Sequence, residues 1–225
     1  ALSLEALSWN ARDLTRRAGG LPIRVASKSV RVRAVLDAVL ALPGYQGVLA
    51  YTVAEAHWLS ESIDDVVVAY PSADLAALAA LGRDERAAAR VTIMVDSVEQ
   101  LDLVDRAIAP GDRASIRVCL DLDSSWRAPA LGHIGVLRSP LHEPSDIRRV
   151  AERVVSRPGF TLVGIMAYEA QIAGVGDAPE GKPFDAALMG RTQRRSAAEL
   201  PARRRDADAA VRQVAALAFD NGGGR

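Results

Sequence analysis

The segment Leu21 to Arg31, LPIRVASKSVR, places an amine where a strand should leave the core: Leu21, Ile23 and Val25 alternate as in a β-strand, and Lys28 follows directly. A lysine partly removed from water there would carry a larger neutral fraction, able to attack a carbonyl carbon and form a Schiff base. The plainer reading is a lysine whose stem covers apolar surface while its head reaches water. At the other end of the chain, Asn221 to Gly224 (NGGG) reads as a glycine turn after a strand. Its exposed backbone N–H groups would suit a phosphate, and an ordinary loop is the alternative. A lysine for an aldehyde and a cradle for a phosphate together match pyridoxal phosphate.

Other polar residues have simpler explanations. Asp121 and Asp123 in LDLDSSW are expected to contribute at most one carboxylate to a binding face. His57 in AEAHWL reads as a helix-surface residue, and His142 in PLHEP and Trp126 in DSSWR as members of a loop that would cover that face. Cys119, the single cysteine, lies in the apolar run SIRVCLDL and reads as a core thiol, which fits a reducing cytoplasm.

These residues need elements to hold them. Apolar residues recur at helical spacing from Leu4 to Ala18, and Gly19 and Gly20 supply a stop. A series then follows: a strand at Ile23 and Val25, a helix through Val32 to Leu40, strand GVLAY, helix VAEAHWL, strand DVVVAY, helix ADLAALAAL, strand VTIMV, helix SVEQLDLVDRAI and strand SIRVCLDL. After a Ser-, Pro- and Gly-rich loop come helix SDIRRVAERVV, strand FTLVGIMAY, a long helical region containing Pro201, and a seventh strand at Leu217 to Asp220.

Continuously apolar strands separated by helices imply a parallel sheet covered on both faces. A doubly wound open sheet competes with a (β/α)8 TIM-type barrel, and about seven strands favour an incomplete barrel, α/β in class. Either architecture gathers strand C-termini into a binding face, expected to carry Lys28, Tyr51, Tyr70, Asp96, Asp121, Tyr168 and Asn221.

Bulk composition agrees with one globular domain over residues 1–225: 49% of residues are hydrophobic and 25% charged, and 28 basic residues balance 28 acidic ones. No overall field attracts nucleic acid or an anionic membrane, and the basic run RRSAAELPARRR reads as a solvated helix face.

The segments RVASKSVR, GVLAYTVAEA, DVVVAYP, VTIMVDSVEQL, GIMAYEAQIAG and DNGGG, in that order, resemble the N-terminal barrel domain of the alanine racemase-like pyridoxal-phosphate enzymes, and within them the branch of D-threonine aldolase and D-serine dehydratase. The resemblance implies a pyridoxal-phosphate lyase acting on a small D-amino acid, with Lys28 as the lysine that bonds the cofactor. A non-catalytic pyridoxal-phosphate carrier and a cofactor-free barrel aldolase are the other readings.

Carried over by position, Tyr168 stands where alanine racemases have a histidine near the cofactor ring. His133 stands where they have an arginine near its phenolate, with Arg138 as the substitute. Gly222, Gly223 and Gly224 match the start of the phosphate loop, preceded by Asn221. VRVRAV after Lys28 departs from the KANAYGHG-type motif of racemases, which tells against racemisation of alanine. The resemblance further implies a C-terminal β-domain beyond this chain, carrying any divalent metal, and a homodimer for the full-length protein. No metal ligands are expected among these residues.

Overall fold

The computed structural model describes residues 2–128, 132–173 and 183–223. Nine strands form among the described residues: β1 (Ile23–Ala26), β2 (Tyr45–Ala50), β3 (Val66–Val68), β4 (Val91–Val95), β5 (Ile116–Leu122), β6 (Trp126–Ala128), β7 (Gly132–Ile134), β8 (Phe160–Tyr168) and β9 (Phe219–Gly223). Seven belong to one sheet in the order β1-β2-β3-β4-β5-β8-β9, while β6 and β7 make a separate antiparallel pair. The fold is α/β, an incomplete (β/α)8 TIM-type barrel with seven of its strands present.

The ten α-helices among the described residues are α1 (Leu4–Arg17), α2 (Ser27–Val30), α3 (Arg33–Leu40), α4 (Val53–Leu59), α5 (Leu75–Arg83), α6 (Glu85–Arg90), α7 (Val98–Ala107), α8 (Pro144–Val155), α9 (Ala170–Ala173) and α10 (Pro183–Arg212). None of the described helices is long and apolar enough to cross a membrane. Packing divides the chain into two compact units, residues 1–94 with 103–117, and residues 95–102 with 118–225.

In the first unit β1, β2 and β3 pair in parallel, with Ala26 beside Leu49 and Ala50 beside Val68. All three residues of β3 are buried, because both faces of a parallel sheet are covered, in a barrel by helices outside and packed side chains inside. Helix starts are set by side chains: Thr52 caps α4, Asp74 caps α5 and Asp84 caps α6, each accepting an N–H from the first turn. Gly47 has φ +71°, and a Cβ there would come within 2.5 Å of the Asp65 carbonyl oxygen, so β2 can approach β3 only with glycine at this position.

In the second unit β8 and β9 pair in parallel, Met166 beside Asn221, Ala167 beside Gly222 and Tyr168 beside Gly223. This corrects the expected glycine turn. Asn221, Gly222 and Gly223 belong to the last strand, because pairing with the long, buried β8 satisfies backbone groups that local propensity would have left to a loop. Gly224 lies outside the described residues. Cys119 is fully buried, as expected.

Candidate active site

Chemistry-bearing side chains gather in two clusters, one in each unit. In the first, Lys28 lies in the single turn α2, directly after β1. Its amine is exposed, so the expected partial removal from water does not occur; Ser27 takes the buried position instead. Lys28 Nζ donates to the Tyr70 hydroxyl at 3.4 Å and stands 5.8 Å from the centre of the same ring. Tyr70 meets Tyr51 edge to face, with ring centres 5.6 Å apart. Strand polarity explains the grouping: Lys28, Tyr51 and Tyr70 follow the C-terminal ends of β1, β2 and β3.

The second cluster is built on Asp121, which is fully buried near the end of β5. Arg138 Nε donates to its Oδ2 at 2.7 Å, and the Arg138 guanidinium lies 5.6 Å over the ring of Tyr168 at the end of β8. Asp121 Oδ1 is buried without a hydrogen-bond partner among the described residues. Burial, opposed by Arg138, pushes the Asp121 carboxyl up to about 7, with Asp96 and Asp123 adding repulsion. Burial also raises Asp96 above the usual carboxylate range.

Asp123 corrects another expectation. Residues two apart on a strand share a face, so the spacing never limited the pair to one inward carboxylate, and both are in fact buried. β5 ends at Leu122, and Asp123 turns to a different set of partners. Ser125 donates its backbone N–H to Asp123 Oδ1 at 3.1 Å and its hydroxyl to Oδ2, while His142 Nδ1 lies 3.3 Å from Oδ2.

His142 is therefore not a surface loop residue: it is 4% exposed, and burial beside Arg203 lowers its proton affinity. Trp126 opens β6. His133 sits exposed on β7, its Nδ1 3.3 Å from the Ser125 hydroxyl, and Arg138 is the basic group that reaches Tyr168.

The basic run on α10 is likewise not simply solvated. Arg203, 7% exposed, donates to the carbonyl oxygens of Asp123, Ser125 and His142, and to Glu199. Arg204 donates to Glu169 at 2.8 Å and to Asp220 at 3.0 Å, and a Cβ on Gly222 would come within 2.9 Å of its Nη1. These arginines are spaced like surface residues, and only the carboxylates and carbonyls of distant segments draw them inward. His57 is half-buried, and the Asp84 carboxylate, its Oδ2 3.0 Å from Nε2, holds the ring at the helix surface. Among the described residues no cluster of His, Cys, Asp and Glu could hold a metal ion.

The family model described as the alanine racemase N-terminal domain matches residues 2–215. Among solved structures, D-threonine aldolase from Filomicrobium marinum is similar with a TM-score of 0.68 at 19% identity, covering 99% of this chain and 55% of that one. Alanine racemase from Bacillus anthracis gives 0.62 at 14%, covering 98% and 50%, and histidine racemase from Leuconostoc mesenteroides subsp. sake gives 0.60 at 13%, covering 97% and 50%. The chain thus spans about half the length of these proteins. No curated protein matches. With the family model spanning nearly all of the sequence, the chain belongs to the alanine racemase N-terminal domain family, a family of pyridoxal-phosphate enzymes of fold type III.

Proposed function

We propose that residues 1–225 act as the pyridoxal-phosphate-binding barrel domain of an enzyme that works on a small D-amino acid, as a lyase of the aldolase or dehydratase type. The observation that carries this reading is the placement of Lys28, one turn beyond β1, with its amine exposed and hydrogen-bonded to Tyr70 at 3.4 Å.

Each unit by itself offers groups suited to the cofactor, Lys28 and Tyr70 in the first and Arg138 in the second. Lys28 offers an accessible amine that would hold its aldehyde carbon. The Tyr70 hydroxyl keeps that amine oriented, and as the proton donor or acceptor nearest it can take or return a proton at Nζ. Arg138, fixed by Asp121 and lying over Tyr168, offers a guanidinium suited to an oxyanion. Asn221, Gly222 and Gly223, the positions matched to the phosphate loop, lie in β9, where the Arg204 guanidinium packs so closely that Gly222 has no room for a Cβ. Pyridoxal phosphate supplies the electron sink for a carbanion; the protein supplies binding and orientation.

Supporting the lyase over an alanine racemase is the segment after Lys28, VRVRAV, which lacks the tyrosine of the KANAYGHG-type racemase motif. The D-amino acid reading draws on the D-threonine aldolase of similar fold. A cytoplasmic setting agrees with the lone reduced thiol of Cys119, and a homodimer and a divalent metal in further parts of the full-length protein complete the proposal.

Purified protein mixed with pyridoxal phosphate is expected to turn yellow, and borohydride followed by peptide mass mapping should place the cofactor on Lys28. Incubation with D-threonine or D-serine should then release an aldehyde or a keto acid. Appearance of the L-isomer alone would identify a racemase. Colour without turnover of any amino acid by the full-length protein would identify a carrier, and a colourless protein would end the reading.

A further inference from the structure

The turn that carries Lys28 ends on a strained residue. Arg31 closes α2 with φ 40° and ψ 28°, the only positive φ among the described non-glycine residues, held by its N–H donating to the Ser27 carbonyl at 2.8 Å. A left-handed conformation is unfavourable for a residue with a Cβ, and such outliers persist where the surroundings fix them. Here the consequence is that the guanidinium stands 5.9 Å over the Tyr51 ring.

Arg31 and Tyr51 line a hollow of about 300 Å³, together with Arg33, Glu55 and Trp58. Tyr51 also lines a second hollow, of about 380 Å³, shared with Tyr70, the residue that holds the Lys28 amine. Lys28, Tyr70, Tyr51 and Arg31 therefore form a continuous series of contacts.

The charged groups facing this series are nearly all committed. Arg33 is held by Asp37 at 3.2 Å and stacks on Trp58 at 5.1 Å. Glu55 accepts the Tyr51 N–H at 2.9 Å, and Asp74, in the second hollow, accepts the Ala77 N–H at 3.0 Å. Arg31 is the exception, with no carboxylate partner among the described residues, although its stacking on Tyr51 presents the planar fork that a carboxylate recognises in two-point fashion.

We propose that Arg31 is a specificity residue that takes the distal carboxylate of an amino-acid substrate, so that the substrate class is dicarboxylic, an aspartate-sized amino acid with the β-hydroxyl that the lyase reaction needs being preferred to its amide. This rests on the assignment of Lys28 as the cofactor lysine. Lys28 and Arg31 belong to the same turn, three residues apart, so the amino acid would be engaged at Lys28 with its side-chain carboxylate turned toward Arg31.

Two measurements test it, one independent of the cofactor. Without pyridoxal phosphate, succinate is titrated while the indole N–H signal of Trp58 is followed by nuclear magnetic resonance. The signal should move in the wild type and stay still in Arg31→Gln, whose thermal midpoint should be unchanged. With pyridoxal phosphate bound, D-aspartate should perturb the visible spectrum at a concentration at least about tenfold below that required by D-asparagine, the size expected for one charge-assisted pair. Arg31→Gln should level the two, and Arg31→Lys should restore part of the difference. A stationary Trp58 signal in the wild type, equal responses to aspartate and asparagine, or a preference surviving Arg31→Gln would overturn the proposal. A protein that stays colourless with pyridoxal phosphate while its Trp58 signal responds to succinate through Arg31 would overturn the cofactor reading and, with it, the substrate assignment, leaving Arg31 as a carboxylate site alone.

Discussion

Asp121 Oδ2 accepts a hydrogen bond from Arg138 Nε at 2.7 Å, with the carboxylate side chain fully buried and the guanidinium one-tenth exposed. Its other oxygen has no hydrogen-bond partner among the described residues, and burial outweighs the guanidinium sufficiently to hold the carboxyl at about 7. Around neutral pH, then, the carboxyl beneath Arg138 is divided between its protonated and ionised forms.

The sign of the resulting pH dependence is fixed by linkage. Between the ordinary 3.8 and about 7 the folded chain holds a proton on Asp121 that the unfolded chain has released, so this group's contribution to stability is present below that range and is lost as pH rises through it. The separation caps the effect at about 4 kcal/mol. Denaturant midpoints measured from pH 4 to 8 should fall more steeply for the wild type than for Asp121→Asn, and parallel curves would refute the assignment.

Removing the partner gives a complementary result. Arg138→Met leaves a buried carboxylate uncompensated at pH 8, at a cost of roughly 3–5 kcal/mol. At pH 5 the protonated carboxyl should tolerate the change far better. Urea unfolding at both pH values distinguishes this from a loss of packing, which would be the same at each.

Much of this architecture was legible in the sequence, and the misses have physical causes. Apolar runs such as VTIMV and FTLVGIMAY announced buried parallel strands, because coverage on both faces leaves no polar alternation to confuse them. The position of Lys28 just beyond a strand was legible, because the alternation of Leu21, Ile23 and Val25 stops directly before it. Arg203 and Asp123 were not: their significance lies in contacts some 80 residues apart in sequence, and no local pattern marks an arginine in RRSAAELPARRR as the one that turns inward. Gly222 and Gly223 misled for a related reason. Glycine signals a turn locally, while the available edge of β8 decides that they continue a strand.

Lys28 offers a prediction that separates covalent chemistry from charge. Lys28→Ala and Lys28→Arg should both abolish the yellow colour with pyridoxal phosphate, since a guanidinium stays protonated and cannot serve as the amine. The side chain is exposed, so stability should change by no more than about 0.5 kcal/mol. A reducible adduct persisting in the arginine variant would transfer the role to the other lysine, Lys182, which lies outside the described residues.

Gly47 provides a test of the sheet that positions Lys28 and Tyr51. Its φ of +71° is left-handed, and an added Cβ would fall 2.5 Å from the Asp65 carbonyl oxygen and 2.8 Å from Asp65 Oδ2. Backbone cannot yield as a flexible side chain can, and Asp65 is itself pinned by Arg24 at 2.6 Å. Gly47→Ala should therefore combine backbone strain with a clash, destabilising by about 2–4 kcal/mol. Because β2 lies between β1 and β3, the shift should also pull Tyr51 away from Tyr70 and loosen the hydrogen bond that orients Lys28. The expected outcome is a lower thermal midpoint together with slower colour development on adding pyridoxal phosphate. An unchanged midpoint would show that the β2–β3 approach is not as tight as the geometry requires. A lower midpoint with normal colour development would show that Lys28 holds its orientation without the tyrosine pair.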